Sequence, residues 1–281
     1  MVVDYCCDKF LGIYGLIPTP HRGRDRLVSF LSSRARRRWN GIRHITRRGL
    51  QLVSDFRVDN TSWILYGYGC LDYYDEREVR RMVRPGDVCF DLGANTGYYS
   101  MLLSRWVGAN GRVYGYEPVP YTHFFLTRNL SNNFAANVVP VQSAVTDHIG
   151  QVRMLAAPSG FLGWSKVDDS GELEVACTTI DAEVQRLNLK RLDFIKMDIQ
   201  GYELRALKAA ENTFRKLRPK VLFEVSPPEL QANGVTAEML ADFFRSHDYG
   251  LFVADRERLK PVTELKDTTV SYFNAFAIPA A

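Results

Sequence analysis

The stretch Asp87-Val88-Cys89-Phe90-Asp91-Leu92-Gly93-Ala94-Asn95-Thr96-Gly97-Tyr98-Tyr99-Ser100 constrains this chain more than any other. A short apolar run enters a glycine-punctuated turn and leaves it as a helix. Twenty residues past Gly97, Glu117 closes a second apolar run, Val113-Tyr114-Gly115-Tyr116. Strand, tight turn, helix and a second strand ending in a carboxylate make a nucleoside half-site. The turn lets backbone N–H groups approach a ligand, and the carboxylate accepts from both ribose hydroxyls.

The turn also narrows the ligand. A dinucleotide fingerprint, G-x-G-x-x-G, needs glycines where this chain has Asn95 and Tyr98. Asn tolerates a left-handed conformation, but Tyr98 is too bulky for close helix–strand packing. Asp91 repels a pyrophosphate and suits a cation, such as the ammonium and sulfonium of S-adenosylmethionine. The residues therefore favour a methyl donor over NAD. A ligand-free turn is the plainer alternative, and it makes Asp91, Asn95, Gly97 and Glu117 a coincidence.

At 281 residues, one large α/β domain with a short extension is expected. No run approaches the roughly 18 apolar residues of a membrane span. The start, Met1 to Cys7, lacks the basic-then-apolar order of a signal peptide. Cys6, Cys7, Cys70, Cys89 and Cys177 are scattered, which argues against a disulfide framework or a zinc site and for a reducing cytoplasm. Residues 1–50 carry +8 while the whole chain carries +4, leaving −4 for the rest. Such a basic arm can contact nucleic acid or anionic membrane. Solvated arginines on a helix end explain Arg34, Arg36, Arg37 and Arg38 equally simply.

The pattern predicts a helix over 25–38 and short strands or hairpins from Ile42 to Tyr68, including Trp63 and Leu65. A helix from Asp75 to Val83 ends at Arg84-Pro85-Gly86. Strands then follow over 88–92, 112–117 and 138–145, with helices over 97–107 and 120–134 between them. Residues 146–179 break the alternation with two strand-like runs around a loop at 158–171, the mark of an inserted substrate lid. The alternation resumes with helix 180–187, strand 193–198, helix 202–212, strand 220–225, helix 236–247 and strand 250–254. The run Val270–Ile278 is expected as an antiparallel edge strand. The whole makes an α/β fold with a doubly wound, mostly parallel sheet, divided into an extension over 1–62 and a main domain over 63–281.

In such a sheet ligands gather at the carboxyl ends of the strands. Asp198 ends the run Phe194-Ile195-Lys196-Met197 and opens Asp198-Ile199-Gln200-Gly201-Tyr202-Glu203. A carboxylate there can act as general base, orient an acceptor hydroxyl, or bind a divalent cation with Glu224; it can also be a helix N-cap. Glu203 fits a capping role. His148, after Thr146-Asp147, is a second base candidate, with His123 behind it. Loops 64–76 and 158–171 are expected to line the acceptor pocket, with Tyr68, Tyr73, Tyr74, Phe161 and Trp164 offering faces for a ring.

These segments, with Tyr116-Glu117-Pro118-Val119-Pro120, Asn129-Leu130-Ser131-Asn132-Asn133 and Thr179-Ile180-Asp181, resemble the FkbM family of S-adenosylmethionine-dependent methyltransferases. The resemblance covers roughly residues 64–226. It implies a Rossmann-like class I methyltransferase fold with an antiparallel last strand, and O-methylation of hydroxyls on sugars or secondary metabolites. It places the donor's methionine part on Asp91, Gly93, Ala94, Asn95 and Gly97, its ribose on Glu117 with Pro118, and its adenine beside Ser143 and Ala144. Gln200 departs from the Glu of many relatives, which weakens a divalent-metal site. The expected partner is a small-molecule or glycan acceptor rather than nucleic acid, since no Asn/Asp-Pro-Pro-Tyr/Phe grip for a flipped base is present. Self-association into a homo-oligomer and a donor-binding module without turnover both stay open.

Overall fold

The computed structural model describes residues 41–155, 165–265 and 272–280, with Cys6 and Phe30. A hairpin comes first, β1 (Ile42–Arg47) and β2 (Leu50–Asp55). Two helices follow, α1 (Asn60–Tyr68) and α2 (Tyr73–Met82). Helix α2 stops because Arg84 precedes Pro85, which disfavours the helical region. Gly86, at φ 89°, then turns the chain into the sheet. The central unit is β3 (Val88–Leu92), α3 (Tyr98–Val107), β4 (Arg112–Tyr116), α4 (Pro120–Asn132) and β5 (Val138–Val141). An insertion supplies β6 (Ala144–Val145), β7 (Gly150–Leu155), β8 (Lys166–Val167) and β9 (Leu173–Thr178). The chain continues through α5 (Ile180–Arg186), β10 (Phe194–Met197), α6 (Glu203–Lys208), α7 (Glu211–Lys216) and β11 (Lys220–Val225). It ends with α8 (Pro227–Ala232), α9 (Ala237–Ser246), β12 (Tyr249–Ala254), β13 (Leu259–Val262) and β14 (Phe273–Pro279).

Eight strands form the main sheet in the order β13-β12-β14-β11-β10-β3-β4-β5. The five from β11 to β5 are parallel, and β14 enters antiparallel between β11 and β12. Alternate residues feed opposite layers, as strands buried on both faces require. Cys89, Phe194, Leu222 and Phe276 join the core on one face, and Phe90, Ile195, Phe223 and Ala275 the core on the other. The chain moves outward from β3 to β5, then returns to lay β10 and β11 on β3's other side. The direction reverses between β3 and β10, and a crevice opens at their carboxyl ends.

Several local expectations change. Trp63 and Leu65 lie in α1, not in a strand, and pack in the core with Phe56 of the preceding turn. The boundary expected at residue 62 falls inside this helix. The run 138–145 divides at Gln142-Ser143, so β5 stays in the main sheet while β6 joins β9 in a separate four-stranded sheet, β6-β9-β7-β8. Residues 202–212 form two helices that meet at Ala209-Ala210. Strand β14 is interior, because β12 and β13 continue the sheet beyond it. Cys70, Cys89 and Cys177 are buried free thiols. No helix among the described residues is long and apolar enough to cross a membrane. The helix expected over 25–38, with Phe161 and Trp164, lies outside the described residues.

Asn129 on α4 fastens the hairpin to the central unit. Its Oδ1 accepts from Val53 N–H at 2.7 Å, and its Nδ2 donates to Val53 O at 3.0 Å and Thr96 O at 2.8 Å. The side chain is fully buried. Each backbone group it leaves unpaired costs about 1–3 kcal/mol. Asn129→Ala is therefore expected to lower the urea midpoint clearly, and an unchanged midpoint would show that the hairpin is not held through this residue.

Candidate active site

The crevice holds a cavity of about 500 Å³, within the usual range for a small-molecule site. Its floor is the glycine turn. Gly93, Asn95 and Gly97 all have positive φ, at 77°, 51° and 92°. Gly93 is also sterically required, since a Cβ there would lie 1.9 Å from the Asp198 carbonyl oxygen. The ends of β3 and β10 thus touch through backbone alone. The Asp198 N–H donates to Leu92 O at 3.0 Å and extends the β3–β10 ladder to the rim.

Glu117 is held from two sides. Asn95 N–H donates to its Oε2 at 2.9 Å and Val119 N–H to its Oε1 at 3.0 Å. It lines the cavity, with Pro118, yet is nearly buried. Burial pushes its carboxyl up to about 7 against the pull of those two donors. Ser143 and Ala144 line the same side, where the small sheet meets the crevice, and Ala94 lines the turn. Asn95 lines this cavity, and its Oδ1 is buried with no hydrogen-bond donor among the described residues. An ammonium N–H is the kind of partner it lacks.

On the opposite side stand Asp198, at the end of β10, and Glu224, in β11. Gln200 Nε2 bridges them, donating to Asp198 Oδ1 at 2.8 Å and to Glu224 Oε2 at 3.1 Å. Burial, then the nearby Asp198 carboxylate, pushes Glu224 up to about 10. Asp198 is not a helix cap. Its carboxylate meets Gln200 and the Lys196 ammonium, whose Nζ is 3.4 Å from Oδ2. Glu203 has the structural role: its Oε1 accepts from Ile199 N–H at 3.0 Å, and burial pushes its carboxyl up to about 7.

Other expected residues stand elsewhere. Asp91 is fully buried beneath the turn and does not face the cavity. Ser100 Oγ donates to it at 2.6 Å, and Lys196 Nζ stands 3.8 Å from its other oxygen. Its charge is met inside the protein rather than by a bound cation. Gly97 also lies off the wall, as the N-cap of α3, with a hypothetical Cβ 2.7 Å from Leu126 Cδ1. Tyr73 is exposed and packs edge-on against Tyr74, away from the cavity. His148 is exposed on the insertion, its Nδ1 2.9 Å from Asp147 Oδ1, and it does not line the cavity. A loop step after Thr146 carries it outward. His123 is off the wall as well, and Tyr68 is buried in the core. Trp164 lies outside the described residues.

The cavity adds residues that the sequence reading passed over: Asp72 at the start of α2, Tyr99 on α3, Lys196 on β10 and Asn274 on β14. Lys196 alternates with core positions in a buried strand, and a cation in that setting is itself a signal. Asp72 falls in the loop expected to line the acceptor pocket, whereas Asn274 has no such mark, because its place depends on how distant segments pack.

A doubly wound α/β domain with a glycine turn, a buried carboxylate just past β4 and an acidic far wall at its switch point has the Rossmann-like class I methyltransferase architecture. The profile of the Methyltransferase FkbM domain matches residues 91–251, more than half of this chain. The chain belongs to this family, an S-adenosylmethionine-dependent methyltransferase family. It is 25% identical to the hexuronic acid methyltransferase AglP of Haloferax volcanii over 150 residues, 52% of this chain and 61% of that protein. The match therefore spans less than two thirds of AglP. It is 26% identical to the 31-O-demethyl-FK506 methyltransferase FkbM of Streptomyces tacrolimicus over 215 residues, 65% of this chain and 80% of that protein. Among solved structures, methyltransferase FkbM from Methylobacillus flagellatus KT aligns with a TM-score of 0.44 and 18% identity, covering 79% of this chain and 56% of that one.

Gly93 tests the contact between the two strand ends. Gly93→Ala forces a Cβ onto backbone at a positive φ and is expected to cost more than about 1 kcal/mol. Urea unfolding measures the loss, and calorimetry with S-adenosylhomocysteine is expected to show weakened binding in the same variant.

Proposed function

We propose that this chain transfers the methyl group of S-adenosylmethionine to a hydroxyl oxygen of a sugar or secondary-metabolite acceptor. The observation that carries this reading is the pairing of Glu117 and Asp198 across one cavity, with the glycine turn between them. The 31-O-demethyl-FK506 named for one relative supports an oxygen acceptor on a secondary metabolite, and the hexuronic acid named for the other supports a sugar scaffold.

The residues present fit the donor. Glu117 spends one lone pair of each oxygen on backbone and keeps the others for the ribose hydroxyls. Asn95 Oδ1 accepts from the ammonium, and Ser143 and Ala144 flank the adenine. Bound there, the donor supplies an electrophilic methyl on a sulfonium. The protein's first contribution is to hold an acceptor oxygen in line with it, for which positioning is worth about 7–11 kcal/mol at the limit. Its second is Asp198, which accepts the hydrogen bond of the acceptor hydroxyl and takes its proton as the O–C bond forms and the methyl–sulfur bond breaks, with the thioether of S-adenosylhomocysteine as leaving group. Gln200 and Lys196 hold that carboxylate in place.

Glu117→Ala is expected to weaken S-adenosylhomocysteine binding roughly ten- to a hundredfold, the worth of hydrogen bonds to a charged group. Calorimetry reads this directly, and NAD binding in place of S-adenosylhomocysteine would overturn the donor. Glu117 accepts from two hydroxyls only as a carboxylate. With its carboxyl pushed up to about 7, donor affinity is expected to fall as the pH drops below about 7 and to level off above it. Glu117→Gln is expected to flatten that profile.

For turnover, Asp198→Asn is expected to lower the single-turnover rate about 10²–10⁴-fold while donor affinity is retained. His148→Ala is expected to leave the rate unchanged. Equal rates in wild type and Asp198→Asn would remove Asp198 from proton transfer.

A further inference from the structure

We infer that the acceptor end of the cavity is built for a neutral or cationic polyhydroxylated acceptor and discriminates against one that carries a carboxylate. The inference rests on the methyl-transfer reading above and sharpens its acceptor class.

Its first ground is the composition of the far wall. Asp72, Asp198 and Glu224 line it, delivered by the start of α2 and by the ends of two adjacent strands. Asn274 stands opposite Glu224 in the antiparallel β11–β14 register, because β14 is interior. Tyr99 lines the same region, and its hydroxyl is buried with no hydrogen-bond partner among the described residues. Carboxyl, carboxamide and phenol groups are the complement of hydroxyls, which donate and accept at once.

The second ground is where the positive charge goes. Lys196 is the cation of this wall, and it is already committed. Its Nζ donates to Gly93 O at 3.1 Å, stands 3.4 Å from Asp198 Oδ2 and lies 3.8 Å from Asp91 Oδ1. Burial pulls its pKa down, but Asp198, Asp91 and Glu224 together leave it raised. The other described cation that lines the cavity, Lys166, belongs to β8, the edge of the small sheet farthest from β6, and not to the elements that carry Asp72, Asp198 and Glu224. No arginine lines the cavity among the described residues. An acceptor carboxylate would therefore meet Asp72 and Asp198 with no uncommitted cation among the described residues of that wall, and like charges so placed are strongly disfavoured.

The protonation states agree. Glu224, pushed up to about 10, is a neutral acid at pH 7 and offers an O–H to an acceptor oxygen. Asp72, pushed up to about 6 by burial and then by Asp198, stays charged there and accepts. The wall thus presents a donor and acceptors together, and it keeps a net negative charge that an ammonium on an amino sugar would satisfy.

The test uses the full chain saturated with S-adenosylhomocysteine, whose own binding is first confirmed by calorimetry. Three probes of one ring geometry are then compared by ligand-observed NMR: methyl glucoside, methyl glucosaminide and methyl glucuronide. The neutral and amino glycosides are expected to bind, and the glucuronide at least about tenfold more weakly at low salt. Asp72→Asn, which keeps a side chain of the same shape, is expected to narrow that gap. Glucuronide binding as tight as that of the glucoside overturns the inference, as does the absence of all glycoside binding while S-adenosylhomocysteine still binds. Failure of S-adenosylhomocysteine to bind overturns the donor reading beneath it and takes the inference with it.

Discussion

The Lys196 ammonium is the interaction on which the crevice depends. It is buried in the central strand β10, where an unpaired cation would cost several kcal/mol. Three groups receive it: the Asp91 carboxylate of β3, the Asp198 carboxylate at the rim and the Gly93 carbonyl of the turn. Each belongs to a segment that the cavity requires in a fixed place. The lysine therefore ties the floor, the turn and the far wall to one point. Its removal would leave Asp91 buried with the hydroxyl and backbone N–H of Ser100 but no counter-charge beside it, the costly case of a broken buried pair.

That arrangement also explains which parts of the site were legible in the chain alone. Strand β3, the turn from Gly93 to Gly97, helix α3 and Glu117 are local. Their conformations follow from apolar runs, positive-φ positions and strand ends, and the structure has them as expected. Asp198 was legible for the same reason, as a carboxylate closing an apolar run. Asp91 shows the limit. Its chemistry suggested a ligand cation, but the partner is Lys196, one strand away in the sheet and 105 residues on in sequence. A periodicity of two puts Asp91 and Lys196 side by side only once the register between β3 and β10 is known.

Other residues were out of reach because tertiary packing decides them. The alternation from Trp63 to Leu65 suggested a strand, yet Asn60–Tyr68 is a helix whose apolar side chains pack against Phe56 and the hairpin. Asn274 reaches the wall only because β14 inserts beside β11, and a last strand at the edge would have left it far from Glu224. Asn129 carried no sign of its task, since both segments that it joins lie more than thirty residues away in sequence. His148 and Tyr73 failed in the other direction: their chemistry suited the role, but their backbone carries them out to solvent.

Gln200 shows how the acidic wall is made tolerable. Asp198 and Glu224 approach one another closely enough to share one amide, and two carboxylates in that position repel unless one is protonated or a cation intervenes. The glutamine supplies a donor to both, 2.8 Å to one and 3.1 Å to the other, from a residue at φ 54°. A glutamate at 200 would add a third carboxylate and remove that donor, so the pair would need a counter-ion. With glutamine, the Asp198–Glu224 pair and its bridge instead comprise one carboxylate, one protonated acid and one amide. The left-handed backbone at Gln200, followed by Gly201 at φ 92°, is what turns the amide back over Asp198. The mixed donor and acceptor character of the acceptor end thus rests on one side chain and on the two positive-φ positions that aim it.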